Sequence, residues 1–296
     1  MSYAGDTTDL SPKLMPAASS RNVPGIETTP SRRRSRLLAV RAPIGTGHTL
    51  FLGVMGFVLF IGFWHWQSAS AANVILASPW DVLKALYTLL AERNFAADIG
   101  TSVVRILASF TAACAVAVPL GIVMGTFTRA GALLNPVVAV WRYLPAPAFV
   151  PLLLMWFGTG EMQKLALLFL GVVFFLITLV MDHTKQVSMD LIEVAQTLGA
   201  SRRRLMFSVV VPAVMPHVLD VMRQMLAVSW TYLVIAEIVA STDGIGAVMM
   251  RAKRFMRTED VLAGILVIGA LGLAFDCLFR LARHVVFPYL RLKAAK

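Results

Sequence analysis

The sequence predicts an all-α polytopic membrane protein with about six transmembrane helices, and three features carry that prediction. Of its 296 residues, 58% are hydrophobic and only 15% charged, where a soluble domain carries about 25% charged residues to cover its surface. Several apolar runs approach the roughly 20 residues a helix needs to cross the hydrocarbon layer. Lys and Arg are shared unevenly between the segments that join those runs.

Residues 1–49 are rich in Ser, Pro, Thr and Arg, without helical or strand period, and read as a flexible basic tail ending in Arg32, Arg33, Arg34, Arg36 and Arg41. The first apolar run, Leu50–Trp66, sets a first helix over 50–67. Its basic flank and the later Ala69-Ser70-Ala71 also fit a cleaved signal peptide, but the run exceeds the usual apolar core, and Trp64 and Trp66 suit interfacial anchors. A retained helix is expected. The remaining core spans 68–285, with a basic tail at 286–296.

Within the core, Ser78-Pro79-Trp80-Asp81 reads as a helix start followed by an amphipathic stretch to about Arg93. The second span covers about Val103 to Phe127, with Gly121 and Gly125 four residues apart, a spacing that lets a neighbouring helix approach closely. Arg129 to Asn135 reads as a short turn. A third span from Pro136 to about Phe157 is interrupted by Pro145, Pro147 and Pro151. Each proline removes a backbone donor, so in a bilayer this segment needs protein or a water-filled cavity around it. The fourth, fifth and sixth spans are Leu165–Met181, Val214–Ala240 and Val261–Leu281, with a polar loop Ser241–Asp260 between the last two.

Six spans place both ends of the chain on one side, together with the loops near 129 and at 182–208. That side collects 17 of the 27 Lys and Arg residues, so both termini are expected in the cytoplasm. The run Arg251, Lys253, Arg254 and Arg257 on the other side is an exception, partly offset by Glu259 and Asp260.

The net charge of +11 suits anionic headgroups of membrane lipid better than nucleic acid, because no basic face lacks adjoining membrane-length apolar sequence. Cys114 and Cys277 lie inside apolar runs and read as small hydrophobes. Five histidines are scattered without ligand spacing, and there is no phosphate loop, no His-Glu-x-x-His and no Gly-x-Ser-x-Gly. No metal, no cofactor and no catalytic residue is expected; the chain is not read as an enzyme.

The segment 182–212 is the most informative. Leu191, Val194, Ala195 and Leu198 recur at three- and four-residue intervals, one apolar face of a short helix, with Glu193, Gln196 and Thr197 off that stripe. Gly199 supplies a bend, and Arg202 to Arg204 open a second turn. Such a helix suits docking into a groove on another protein, and equally a place on the lipid surface.

Glu193-Val194-Ala195, then Gly199, then Val209-x-Val211-Pro212 resembles the Glu-Ala-Ala–Gly–Ile-x-Leu-Pro loop of binding-protein-dependent ABC importer permeases (a MetI-like fold). Val194, Val209 and Val211 depart conservatively from that pattern. The resemblance extends over roughly 80–285 and includes Arg142-Tyr143-Leu144-Pro145-Ala146-Pro147, Trp156-Phe157-Gly158-Thr159-Gly160 and Ala236-Glu237-Ile238-Val239, pieces most similar to the nitrate/taurine/alkanesulfonate branch. It implies an inner-membrane permease subunit for a small anionic or zwitterionic solute. The implied partners are a second permease subunit forming a homodimer, two ATP-binding ABC subunits, and a periplasmic or lipid-anchored solute-binding protein. By the same resemblance Glu193, Ala195 and Gly199, with the neighbouring Arg202, belong to the ATPase-coupling segment, and Pro212 marks re-entry into the fifth span. A non-transporting scaffold that docks a cytoplasmic partner and a stand-alone secondary transporter are the other classes the residues allow.

Charges inside spans usually face a cavity or a partner, and Arg105 at the entrance to the second span, Glu237 near the outer end of the fifth and Asp276 in the sixth are such charges. Asp220 and Arg223, three apart on the fifth span, read as a structural ion pair on one helical face. Arg142, beside Pro145 and Pro147 in the broken third span, is a candidate for the solute pathway or a gate, with a structural pair or headgroup contact as the alternative.

Overall fold

The computed structural model describes residues 45–70, 76–240 and 242–288. The expected tail 1–49 falls almost wholly outside them, and so does most of the tail 286–296. The chain divides into two compact units, residues 1–56 and 57–296. The described part of the first is Gly45 and the beginning of α1 (Thr46–Ala69), whose apolar side chains from Leu50 to Met55 are exposed.

In the second unit the elements are α2 (Pro79–Glu92), α3 (Phe95–Thr126), α4 (Thr128–Tyr143), a 3₁₀ turn Ala146–Phe149 leading into α5 (Val150–Phe157), α6 (Glu161–Lys185), α7 (Met189–Thr197), α8 (Arg202–Leu205), α9 (Val211–Ala240), α10 (Ile245–Arg254) and α11 (Thr258–Val286). The described residues hold no strand. Among them five helices are each long and apolar enough to cross a membrane, and α4 with residues 146–157 makes a sixth span bent by 82°.

Local chemistry explains the boundaries. Ser78 caps α2 by accepting from the Asp81 N–H at 3.2 Å, with Pro79 at the first helical position, where its missing donor costs nothing. The expected turn at Arg129–Asn135 is instead the first half of α4. Phe127 alone, in an extended conformation, separates α3 from α4, and Ala130, Ala132, Leu133 and Leu134 are good helix formers that continue α4 through Pro136. The break comes at Leu144–Pro145, as the proline cluster predicts. Between α8 and α9, residues 206–210 form a π turn in which the Val211 N–H reaches back to the Met206 carbonyl. Pro212 cannot donate to the preceding turn and its ring crowds it, so a widened turn relieves the clash.

The core lies along α3, α6 and α9. Ile106, Ala113, Leu167, Leu176, Val180 and Val214 are fully buried there. The small pair on α3 makes the close approach expected of it: a Cβ on Gly121 would stand 2.8 Å from the Ile177 carbonyl oxygen, and one on Gly125 2.5 Å from Thr184 Cβ. A second cluster joins α2, the start of α3, α10 and α11 around Val82, Leu89, Phe95, Ile245 and Ala263. The polar loop expected at Ser241–Asp260 therefore contains a helix. Ile245, Val248, Met249 and Ala252 recur at three- and four-residue spacing, and burial of that face against α2 and α11 fixes α10.

Candidate functional site

α6 separates two regions rich in functional groups. Its 25 residues make a rod of about 37 Å, with α7 beyond its C-terminus and a cluster of charges at its N-terminus.

α7 forms where the sequence pattern puts it, and no residue of it is buried. Met189, Leu191, Val194 and Leu198 are exposed, the last by 82%. The helix stops through its carbonyls. Leu198 N–H donates to Val194 O at 3.1 Å, Gly199 N–H to Gln196 O at 2.9 Å and Ala200 N–H to Ala195 O at 3.0 Å. This closure needs Gly199 at φ +76°, a region costly for any residue with a Cβ. Ser201 then caps α8 by accepting from the Arg204 N–H at 3.3 Å. Glu193, Gly199 and Arg202 are exposed, Ala195 is half-buried, and Pro212 sits exposed in the first turn of α9. An apolar stripe left open on a nine-residue helix is the mark of a surface that meets something else.

At the opposite end of α6, Arg105 of α3 is 3% exposed and uses all of its donor capacity. Its Nε and Nη2 donate to the two Glu161 carboxylate oxygens at 2.6 Å each. Nη2 also donates to Asp243 Oδ1 at 2.7 Å, while Nη1 reaches Glu237 Oε1 at 2.9 Å and the Asp243 carbonyl at 3.1 Å. Glu237, 1% exposed, accepts from Ser102 Oγ at 2.7 Å and from the Gly246 N–H at 2.8 Å. Lys164 Nζ donates to Glu161 Oε1 at 2.7 Å. Ser102 Oγ accepts from the Ile245 N–H at 2.9 Å, and Asp98 Oδ1 from the Gly244 N–H at 2.7 Å. Gly244, at φ +98°, leaves no room for a Cβ, which would overlap the Glu237 carboxylate. One network thus ties α3, α6, α9 and the entry to α10 together, with carboxylates on the amides that open α10. The sequence reading noted Arg105 and Glu237 only as separate charges within spans. It missed Glu161, Lys164, Asp243 and Ser102, and the one local signal was the Glu161–Lys164 spacing.

Arg142 is half-buried in the last turn of α4, 5.2 Å over the Tyr143 ring and 3.4 Å from its hydroxyl, with no carboxylate partner among the described residues. Pro145 and Pro147 are exposed at the bend beside it. The bend is fastened by Trp141, stacked on Phe149 at 5.7 Å and on Phe174 of α6 at 5.3 Å.

The expected pair Asp220–Arg223 is not what the structure holds. Asp220 pairs with Arg283 of α11 at 2.9 Å, and Arg223 with Asp276 of α11 at 2.8 Å. Both residues sit on the face of α9 turned to α11, where partners from another helix reach them more directly than each reaches the other.

The comparisons with known proteins fall on this same region. Residues 117–286 match the family described as binding-protein-dependent transport system inner membrane component. The chain belongs to that family. It is 31% identical over 264 residues to the taurine transport system permease protein of Escherichia coli K12, covering 86% of this chain and 94% of the relative. It is 28% identical over 228 residues to a putative aliphatic sulfonates transport permease protein of Bacillus subtilis 168, covering 76% and 83%. The methionine ABC transporter MetNI in an inward-facing conformation shares the fold, with a TM-score of 0.52 at 14% identity over 71% of this chain and 98% of that one. The permease is therefore a membrane-embedded subunit of the ABC-importer type, in the branch that the loop and its context resemble.

Proposed function

We propose that this permease moves a small anionic or zwitterionic solute of the taurine, sulfonate or nitrate kind across the inner membrane, driven by a separate ATPase that grips α7. The observation that carries the coupling is the open apolar stripe Leu191–Val194–Leu198 with Glu193 beside it, on a helix that follows α6 in the chain and leads through α8 into α9. A partner that covers that stripe and shifts it on ATP binding moves both long helices as levers. The Gly199 bend and the Ser201 cap keep the lever short and stiff. Arg202 lies next to the same contact, and Pro212 starts α9 just beyond it.

The assembly that fits this reading is two copies of the permease, two ATP-binding ABC subunits and an external binding protein. The tails 1–49 and 286–296 and the α7 loop lie in the cytoplasm, as the excess of Lys and Arg on that side supports. The first helix over 50–67 and the core 68–285 are membrane-embedded. Arg142, with Pro145 and Pro147, lies on the solute pathway: a guanidinium without a carboxylate partner, at a broken span, suits an oxyanion through paired hydrogen bonds.

The test is a reconstituted complex carrying Glu193→Lys or Gly199→Val. Both variants are expected to insert and assemble while ATP hydrolysis no longer drives uptake. Normal uptake by both contradicts the docking role.

A further inference from the structure

The basic turn around Arg251–Arg257 stands on the side of the membrane where Lys and Arg are scarce, and two of its four cations, Arg251 and Arg257, are held by ion pairs among the described residues, whereas Arg254 and the exposed Lys253 are not. Arg257 Nε lies 3.3 Å from Asp260 and 3.6 Å from Glu259. Arg251 donates to the Thr242 carbonyl and lies 3.7 Å from Asp98. Arg254 has no ion pair or side-chain hydrogen bond among the described residues.

Arg254 and Arg251 rim a cleft of about 480 Å³ between the end of α9, α10 and the loop before α6, with Thr159, Thr242, Val239 and Met250 among its other walls. That volume falls within the range of small-molecule sites, about 300–1,000 Å³. Both threonine side chains are exposed, and neither hydroxyl has a partner among the described residues. The acidic groups nearby are already engaged. Glu161 and Asp243 are held by Arg105 and Lys164, and Asp98 faces Arg251 while accepting from Gly244. The Arg254 charge is left over, beside two free hydroxyl donors and an apolar wall.

We propose that this cleft is an anion-receiving subsite on the permease, which takes the oxyanion group of a small solute, such as a sulfonate, at the mouth of the pathway. The inference deepens the importer reading and rests on it, by giving the solute's charged end its first contact with the membrane subunit. A concave wall with hydroxyl donors suits a small anion better than the acidic face of a docking protein, which meets exposed lysines and arginines without needing a cleft.

The test uses the full-length chain in lipid nanodiscs with Cys277→Ser and Val239→Cys, the native Cys114 being buried. Labelling of position 239 is timed with an anionic sulfonatoethyl and a cationic trimethylammonioethyl methanethiosulfonate, each normalised to a free thiol. The anionic reagent is expected to be favoured about tenfold, and Arg254→Gln to remove most of that preference, as expected for a charge within a few ångströms. Ethanesulfonate is expected to slow the labelling where sodium chloride of equal ionic strength does not. No anionic preference, a preference untouched by Arg254→Gln, or equal protection by chloride overturns the subsite. So does an unchanged labelling pattern in Arg254→Gln accompanied by weakened docking of the solute-binding protein, which would assign the arginine to that partner. ATP-driven uptake of ethanesulfonate by the assembled complex separates the two readings. Its absence with the labelling pattern intact counts against importer function alone, and its presence without the pattern counts against the cleft alone.

Discussion

Arg105 and Glu237 meet at 2.9 Å with 3% and 1% of their side chains exposed, so the pair that joins α3 to α9 is shut away from water. Charges so placed persist only when every donor and acceptor is matched, and here Ser102, Glu161, Asp243 and the Gly246 amide complete the match.

Removing one member leaves the other buried and unpaired. Arg105→Ala and Glu237→Ala are each expected to lower stability by about 3–5 kcal/mol. Asp243→Asn, on a half-exposed carboxylate, is expected to cost about 1 kcal/mol or less. Thermal unfolding of the detergent-purified chain gives the comparison, and equal losses for all three would contradict a closed network.

Gly125 and Gly100 lie on the same helix in opposite surroundings. A Cβ at Gly125 would press on Thr184, whereas nothing lies within 4 Å of one at Gly100. Gly125→Ala is expected to destabilise by about 1–3 kcal/mol through overpacking of α3 on α6. Gly100→Ala is expected to be neutral or to stabilise by up to about 1 kcal/mol, because it lowers the entropy of the unfolded chain. The same unfolding measurement distinguishes them.

The ion pairs between α9 and α11 make a sharper forecast. A double-mutant cycle between Arg223 and Asp276 is expected to show a measurable favourable coupling. The cycle between Arg223 and Asp220 is expected to show much less, since each is held by a different residue of α11. Stronger coupling within α9 would restore the local pairing that spacing alone suggests.

These contrasts mark how far the sequence is legible. Apolar runs of membrane length and proline clusters depend only on neighbouring residues, so the spans, the break near Pro145 and the short helix carrying Leu191, Val194 and Leu198 can be read directly. Partners from distant segments cannot. Arg105 finds Glu161, Glu237 and Asp243 across 56, 132 and 138 residues, and nothing local announces it. The same holds for Asp220, where an i,i+3 neighbour looks sufficient until α11 arrives. α10 was hidden for another reason: it is only ten residues long and carries Arg251, Lys253 and Arg254 in its last turn, and only the spacing of Ile245, Val248, Met249 and Ala252 betrays a buried face.

Arg142 tests the pathway assignment. Arg142→Ala is expected to cut uptake at least about tenfold, as loss of a charge-assisted contact to the solute would, while the ATPase subunits still copurify. Arg142→Lys keeps the charge but loses the paired geometry and is expected to recover only part of the rate. Unchanged uptake in the alanine variant would return Arg142 to its contact with Tyr143 as a purely structural side chain.

The most direct test of the whole account is disulfide or short-linker crosslinking from Val194→Cys on α7 in the assembled complex in native membranes, with Cys277→Ser removing the exposed native thiol. The account predicts a crosslink to the ATP-hydrolysing subunit whose yield changes between nucleotide-free and ATP-bound states. A complex that transports its solute while Val194→Cys never captures that subunit in either state would contradict it.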